Sequence, residues 1–324
     1  MDELNNLPQD NKPDDDNSQT RNKENSPLGK INPRISPITA AFIGLFGGFF
    51  LYQIVGGFLT LAILGFNLHN APVQSLRLMT MAGQILFILL PALVFAKWFY
   101  EDVTEIIRFR FPRWEEILLF TLGIVILTPL LQYYLSIQTY FIDTWAHSSH
   151  FIYSIKTALD KLNDLVDKSY GNLLTVHSIF SGVIVVIVVA LVPAVCEEVM
   201  FRGFIQRSFE FKIKPFWAAL ITAFFFGVYH FNPYELLPLI FLGFYFGFAA
   251  YKSNSIFVPM SLHFFNNFTA VIFYFIFGED DVLNDSLSKN FDLNSSLIIL
   301  LALIILFGVV LFLINKFYAK AKNE

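Results

Sequence analysis

The chain has 324 residues, of which 55% are hydrophobic and 39 are Phe, with a formal net charge of −4. So apolar a composition excludes an ordinary soluble domain and points to a polytopic membrane protein, and the acidic balance excludes nucleic acid as a partner. The lone cysteine, Cys196, excludes an internal disulfide and gives no zinc-finger spacing.

Residues 1–36 are rich in Asn, Asp, Pro and Ser and include the run Asp14-Asp15-Asp16. They bury too little apolar surface to fold and are expected to form a disordered cytoplasmic tail. Nothing in them reads as a cleavable signal peptide. The rest, 37–324, reads as one membrane-embedded domain. Eight apolar segments follow, at about 38–64, 76–99, 115–136, 178–200, 215–231, 235–251, 255–277 and 295–316. Each is near the length that crosses ~30 Å of hydrocarbon. The fifth and sixth are short and separated only by Asn232, Pro233 and Tyr234, so they are expected to tilt or to lie partly inside the bundle. The expected fold class is all-α, a polytopic membrane helix bundle of about eight transmembrane helices.

Lys and Arg sort between alternate loops. One side holds Lys30, Arg34, Arg108, Arg110, Arg113, Arg207, Lys212, Lys214, Lys252, Lys316, Lys320 and Lys322. The other holds Lys156, Lys161, Lys168 and Lys289, diluted among acids. The positive-inside rule then places both termini in the cytoplasm, at the cell membrane. Trp98, Trp114 and Trp217 fall at the expected cytoplasmic helix ends. The largest external segment, about 137–176, carries Ile152, Ile155, Leu159, Leu162 and Val166 at helical spacing among Asp and Lys. That pattern is an amphipathic helix lying on the membrane surface or capping the bundle. His147 and His150 precede it, but no carboxylate or cysteine completes a metal set nearby, and they read as surface histidines.

Polar groups at membrane depth are few, and ionisable ones on a spanning helix are functional candidates by default. The stretch Leu191–Gly203, LVPAVCEEVMFRG, sets two adjacent carboxylates, Glu197 and Glu198, and Arg202 on an apolar helix. Glu198 and Arg202 are four apart and face each other, which leaves Glu197 free to point elsewhere. The fifth segment ends in His230, and the seventh carries His263 and Asn267 on one face. A carboxylate and two imidazoles suit a zinc site made by Glu197, His230 and His263 with an open position for water. They equally suit Glu197 as a general base, with His230, His263 and Asn267 positioning the scissile carbonyl and stabilising the oxyanion. Spacing alone leaves both open. Cys196 as a nucleophile is the weaker third option, because buried thiols are usually inert. H-E-x-x-H and G-x-S-x-G are both absent.

E-E-x-x-x-R at 197–202, F-x-x-x-H at 226–230 and H-x-x-x-N at 263–267, in that order and on separate membrane helices, resemble the CPBP family. This is the CAAX-protease and bacteriocin-processing (Abi) group, related to type II CAAX prenyl endopeptidases. The resemblance covers about 190–270. It implies an intramembrane endopeptidase that hydrolyses membrane-associated peptides or protein C-termini, in contact with the lipid bilayer. Carried over, Glu197 activates water, Glu198 and Arg202 belong to its motif, and His230, His263 and Asn267 complete the site. A divalent metal such as zinc is the one cofactor to weigh. Asn267 is a better oxyanion donor than zinc ligand, which favours catalysis without an obligatory metal. The rival functions are a non-catalytic peptide-binding or bacteriocin-immunity protein and, more remotely, a transporter. Helix rise puts Glu197 and His263 about 10–12 Å below the cytoplasmic face but His230 about 22 Å along its helix, so the fifth helix has to tilt, or to begin in the cytoplasm, for the three to meet.

Overall fold

The computed structural model describes residues 31, 33–66, 71–278 and 291–323. Most of the acidic tail, Lys30 and Lys289 lie outside them. Among the described residues all regular structure is helical. The long helices are α1 (Pro37–Leu64), α2 (Val73–Tyr100), α3 (Trp114–Ser148), α4 (His150–Leu174) and α5 (Ile179–Glu210). They are followed by α6 (Pro215–Val228), α7 (Leu236–Ser253), α8 (Phe257–Phe277) and α9 (Leu293–Lys320). Seven of these described helices are long and apolar enough to cross a membrane, and α6 is a shorter apolar helix. The chain is a multi-pass membrane helix bundle. Its outer surface agrees: Phe58 is 71% and Ile298 69% exposed, which water would penalise and lipid does not.

Two boundaries move. α5 runs to Glu210 rather than ending near residue 200, because Val199–Gln206 continues the helix as a π-helical stretch buried on all sides. The 35-residue α3 is too long for the bilayer alone, at about 52 Å, so its end projects from the membrane. The extended Ser149, whose side chain accepts from the Ile152 amide, then breaks the chain and starts α4.

α4 lies across one end of the bundle and is tied down at two points. Lys156 pairs with Asp143 at 3.4 Å and with Asp160 at 2.9 Å, and the Tyr234 hydroxyl donates to Asp160. At its other end the fully buried Arg77 of α2 donates to the carbonyls of Leu173 and Thr175 and to the Ser181 hydroxyl. Those are the orphan carbonyls of a helix C-terminus, where a cation is also favoured by the helix dipole. This makes Arg77 a cation outside the alternating charge pattern, held for a structural reason. The amphipathic segment thus caps the bundle. His147 stays exposed, its Nδ1 beside the Asp143 carbonyl of its own helix, and His150 stacks on Tyr153.

The opposite end gathers the basic loops. Arg34 meets Glu101 at 3.3 Å, Arg110 meets Glu116 at 2.9 Å and donates to the Ser253 carbonyl, and Arg113 lies 5.0 Å from the Phe317 ring centre. Arg108 is buried against Glu210, and burial pushes its guanidinium down to about 10. The charge sorting therefore corresponds to two real ends. Reporter fusions after Lys212 and Lys252 are expected to read cytoplasmic and one within α4 external; an external reading at Lys212 would reverse the assignment.

Two aromatic cores sit side by side. One, around Tyr100, Phe201, Phe204 and Phe226, joins α1, α2, α5 and α6. The other, around Phe120, Tyr245, Phe246 and Leu262, joins α3, α7, α8 and α9. The polar residues of α5 lie on the seam between them.

Candidate active site

Glu198 is fully buried and its Oε1 accepts from two sides, from Arg202 Nη1 at 3.1 Å and from His263 Nδ1 at 2.8 Å. The first bond is the i, i+4 pairing expected from the helix. The second joins α8 to α5 through Glu198 rather than through Glu197. Because a carboxylate only accepts, His263 Nδ1 carries a hydrogen.

Arg202 is held by more than its ion pair. Its Nη2 donates to the Gly243 carbonyl at 3.0 Å, and its guanidinium lies 4.3 Å from the Phe226 ring centre and 5.6 Å from those of Phe201 and Phe246. A planar, weakly hydrated cation suits such a box, where π faces replace part of its solvation. One turn on, Gln206 donates to the Gly247 carbonyl at 2.9 Å. The spacing G-x-x-x-G on α7 thereby presents two backbone carbonyls to two side chains of α5, four residues apart on each helix.

Phe226 gives the F-x-x-x-H motif its physical sense. Its ring touches Arg202, stands 4.7 Å from the His230 ring and 6.0 Å from the His263 ring, while its carbonyl takes His230 Nδ1 at 2.7 Å. A carbonyl cannot donate, so His230 also carries its hydrogen on Nδ1 and presents Nε2. Past Val228 the chain turns, with Phe231 at φ 52, and Pro233 prevents the helix from resuming at once. The depth conflict disappears in this geometry. Glu197 is 13 residues from Glu210, about 20 Å, and His230 is 15 residues from Pro215, about 22 Å, on the antiparallel return helix.

Asn267 donates from Nδ2 to the Val189 carbonyl at 3.1 Å. Pro193, one turn on, has no N–H to offer an α-helical bond here, and the stretch Val186–Leu191 around this carbonyl is π-helical. Asn266 donates to Asn267 Oδ1 at 3.3 Å.

Glu197 differs from its neighbour. Its Oε1 accepts from Gln84 Nε2 of α2 at 2.9 Å, and its buried Oε2 has no hydrogen-bond partner in the protein. Gln84, Gly243 and the ring of Phe246 were not singled out from the sequence. A lone Gln in the apolar run around 81–90 and the Gly243/Gly247 spacing were the available signals.

The candidate residues thus form one connected cluster through Glu198, Arg202, His263, Phe226 and His230, with Glu197 adjoining it in sequence and Asn267 one turn beyond His263. Among the described residues no three or more His, Cys, Asp or Glu side chains come together closely enough to hold a metal ion. Glu197, His230 and His263 therefore do not fit a zinc ligand set in this arrangement.

Comparison with known proteins agrees with the motifs. Residues 179–269 match the family model described as "Type II CAAX prenyl endopeptidase Rce1-like". That segment contains Glu197, Glu198, Arg202, His230, His263 and Asn267. The chain is similar to that family over this segment. A relative of Bacillus subtilis (strain 168) described as "Putative membrane peptidase YdiL" is 33% identical over 89 residues, which cover 28% of this chain and 36% of that relative. No solved structure matches. The matched segment therefore comprises α5, α6, α7 and the first part of α8. Gln84 and Arg77 lie outside it.

Proposed function

We propose that this chain is an intramembrane endopeptidase in which Glu197 activates water against peptide bonds of membrane-associated peptides or protein C-termini. The observation that carries the reading is the asymmetry of two adjacent carboxylates. Glu198 Oε1 is bonded by the cationic Arg202 and by His263, whereas Glu197 Oε1 meets only the neutral Gln84 amide; the second oxygen of each is buried without a hydrogen-bond partner in the protein.

Glu197 Oε2 takes a proton from water as the water oxygen bonds to the scissile carbonyl carbon, and the carbonyl electrons move onto its oxygen. His263, held by Glu198, donates to that oxyanion from Nε2–H in its imidazolium form, and the second amide N–H of Asn267 serves the same oxygen. Collapse restores the carbonyl and breaks the C–N bond, and the leaving nitrogen takes the proton back from Glu197. His230 positions the peptide from its Nε2 face, and Arg202 holds Glu198 in place.

The test uses the purified full chain in proteoliposomes with two quenched-fluorescence peptides, one bearing a prenylated cysteine near its C-terminus and one anchored by an apolar helix without a prenyl group. Wild type is expected to cleave at least one, with the rate unchanged by excess chelator, and Glu197→Gln is expected to cleave neither. Wild-type rates in Glu197→Gln would sink the assignment of the base. Stoichiometric zinc, lost together with activity in His230→Ala and in His263→Ala, would replace the metal-free route while leaving the peptidase reading in place.

A further inference from the structure

Gln84 lies outside the matched segment, on α2, and is 5% exposed. Its amide reaches across the bundle to donate from Nε2 to Glu197 Oε1 at 2.9 Å. The orientation of the amide is settled by chemistry, since a carboxylate cannot donate to the amide oxygen's side. Gln84 Oε1 is then buried with no hydrogen-bond partner in the protein, as is Glu197 Oε2. Two unpartnered acceptors on two bonded side chains require hydrogen donors. A π-helical stretch, Ile85–Leu89, begins at the next residue and widens α2 here, as π turns commonly do beside functional groups.

We infer that Gln84 is a positioning residue for the hydrolytic water. This rests on the reading of Glu197 as the water-activating group. Nε2–H fixes one carboxylate oxygen, which sets the direction of the other. The water donates one hydrogen to Glu197 Oε2, the one it will lose, and its second to Gln84 Oε1. Its oxygen lone pair is thereby left aimed away from both side chains, toward the carbonyl carbon. Gln84 exchanges no proton in the reaction. The amide is suited to this because it offers one donor and one acceptor and carries no charge that would compete with the carboxylate.

Gln84→Met keeps the length and apolar bulk of the side chain and removes both polar groups. In the proteoliposome assay it is expected to lower kcat about 100-fold, the order associated with misplacing a reacting group by about 1 Å, with KM within about twofold and the melting temperature unchanged. Gln84→Asn retains the amide but not its reach and is expected to fall between the two. A readout independent of turnover is the Glu197 carboxylate band, isolated by subtracting the infrared spectrum of Glu197→Gln from that of wild type. Repeating the subtraction in the Gln84→Met background is expected to shift that band, because one oxygen loses its donor. Wild-type kcat in Gln84→Met, or an unshifted band, would overturn the role of Gln84. A drop in melting temperature with kcat per folded molecule unchanged would make Gln84 a packing residue and overturn it as well. Full activity in Glu197→Gln would instead remove the base itself, so the two failures are distinguishable.

Discussion

Glu198→Gln is expected to lower stability by about 3 kcal/mol, a fall of roughly 5–10 °C in the melting temperature of the detergent-solubilised protein. Glu197→Gln is expected to leave melting nearly unchanged while abolishing cleavage. The difference follows from what each carboxylate touches. Glu198 Oε1 is shared by Arg202 and His263 in a wholly buried setting, and neutralising it takes from the Arg202 guanidinium its hydrogen-bonded counter-ion among aromatic rings. Glu197 is bonded only through Oε1 to an amide that a glutamine carbonyl can equally accept from, so its replacement removes chemistry and not support. Thermal melting and cleavage measured on the same preparations check this. Equal destabilisation by both substitutions would mean that the pair is structural.

Gly243→Ala is expected to cost about 1–3 kcal/mol and most of the activity. A Cβ at this position would stand 2.9 Å from Phe226 Cδ1, 3.1 Å from Arg202 Nη2 and 3.4 Å from the Ala223 Cα. None of these can retreat easily: the ring is packed on both histidines, the guanidinium is bonded to Glu198 and to the Gly243 carbonyl itself, and the third is backbone. The matched control is Gly308→Ala on α9, where an added Cβ meets nothing within 4 Å. That change is expected to be neutral or to stabilise by up to about 1 kcal/mol through helix propensity. Similar melting shifts for the two would show that the close approach of α7 to α5 does not matter.

Much of this protein is determined by its sequence alone, because a bilayer offers no water to backbone polar groups and so forces apolar runs of sufficient length into helices. The all-α bundle, its several spans, the alternation of basic ends and the capping amphipathic segment all follow from that constraint. The same physics marks Glu197, Glu198, Arg202, His230, His263 and Asn267 as candidates, since polar groups in apolar helices are expensive. The i, i+4 spacing likewise predicts the Glu198–Arg202 bond, which is local to one helix.

Contacts between helices depend on register, and the tertiary structure decided those. The π-helical stretches at Ile85–Leu89, Val186–Leu191 and Val199–Gln206 rotate each helix in ways that residue spacing does not encode. They accompany the pairing of Gln84 with Glu197, of His263 with Glu198 instead of Glu197, and of Asn267 with the Val189 carbonyl above Pro193. The level of His230 likewise depends on the extension of α5 to Glu210, since the run from Glu197 to Glu210 and the run from Pro215 to His230 are then of similar length. Sequence distance along one helix is a physical length; the facing of two helices is a result of packing, and here packing selected which carboxylate meets the arginine and a histidine and which meets only an amide.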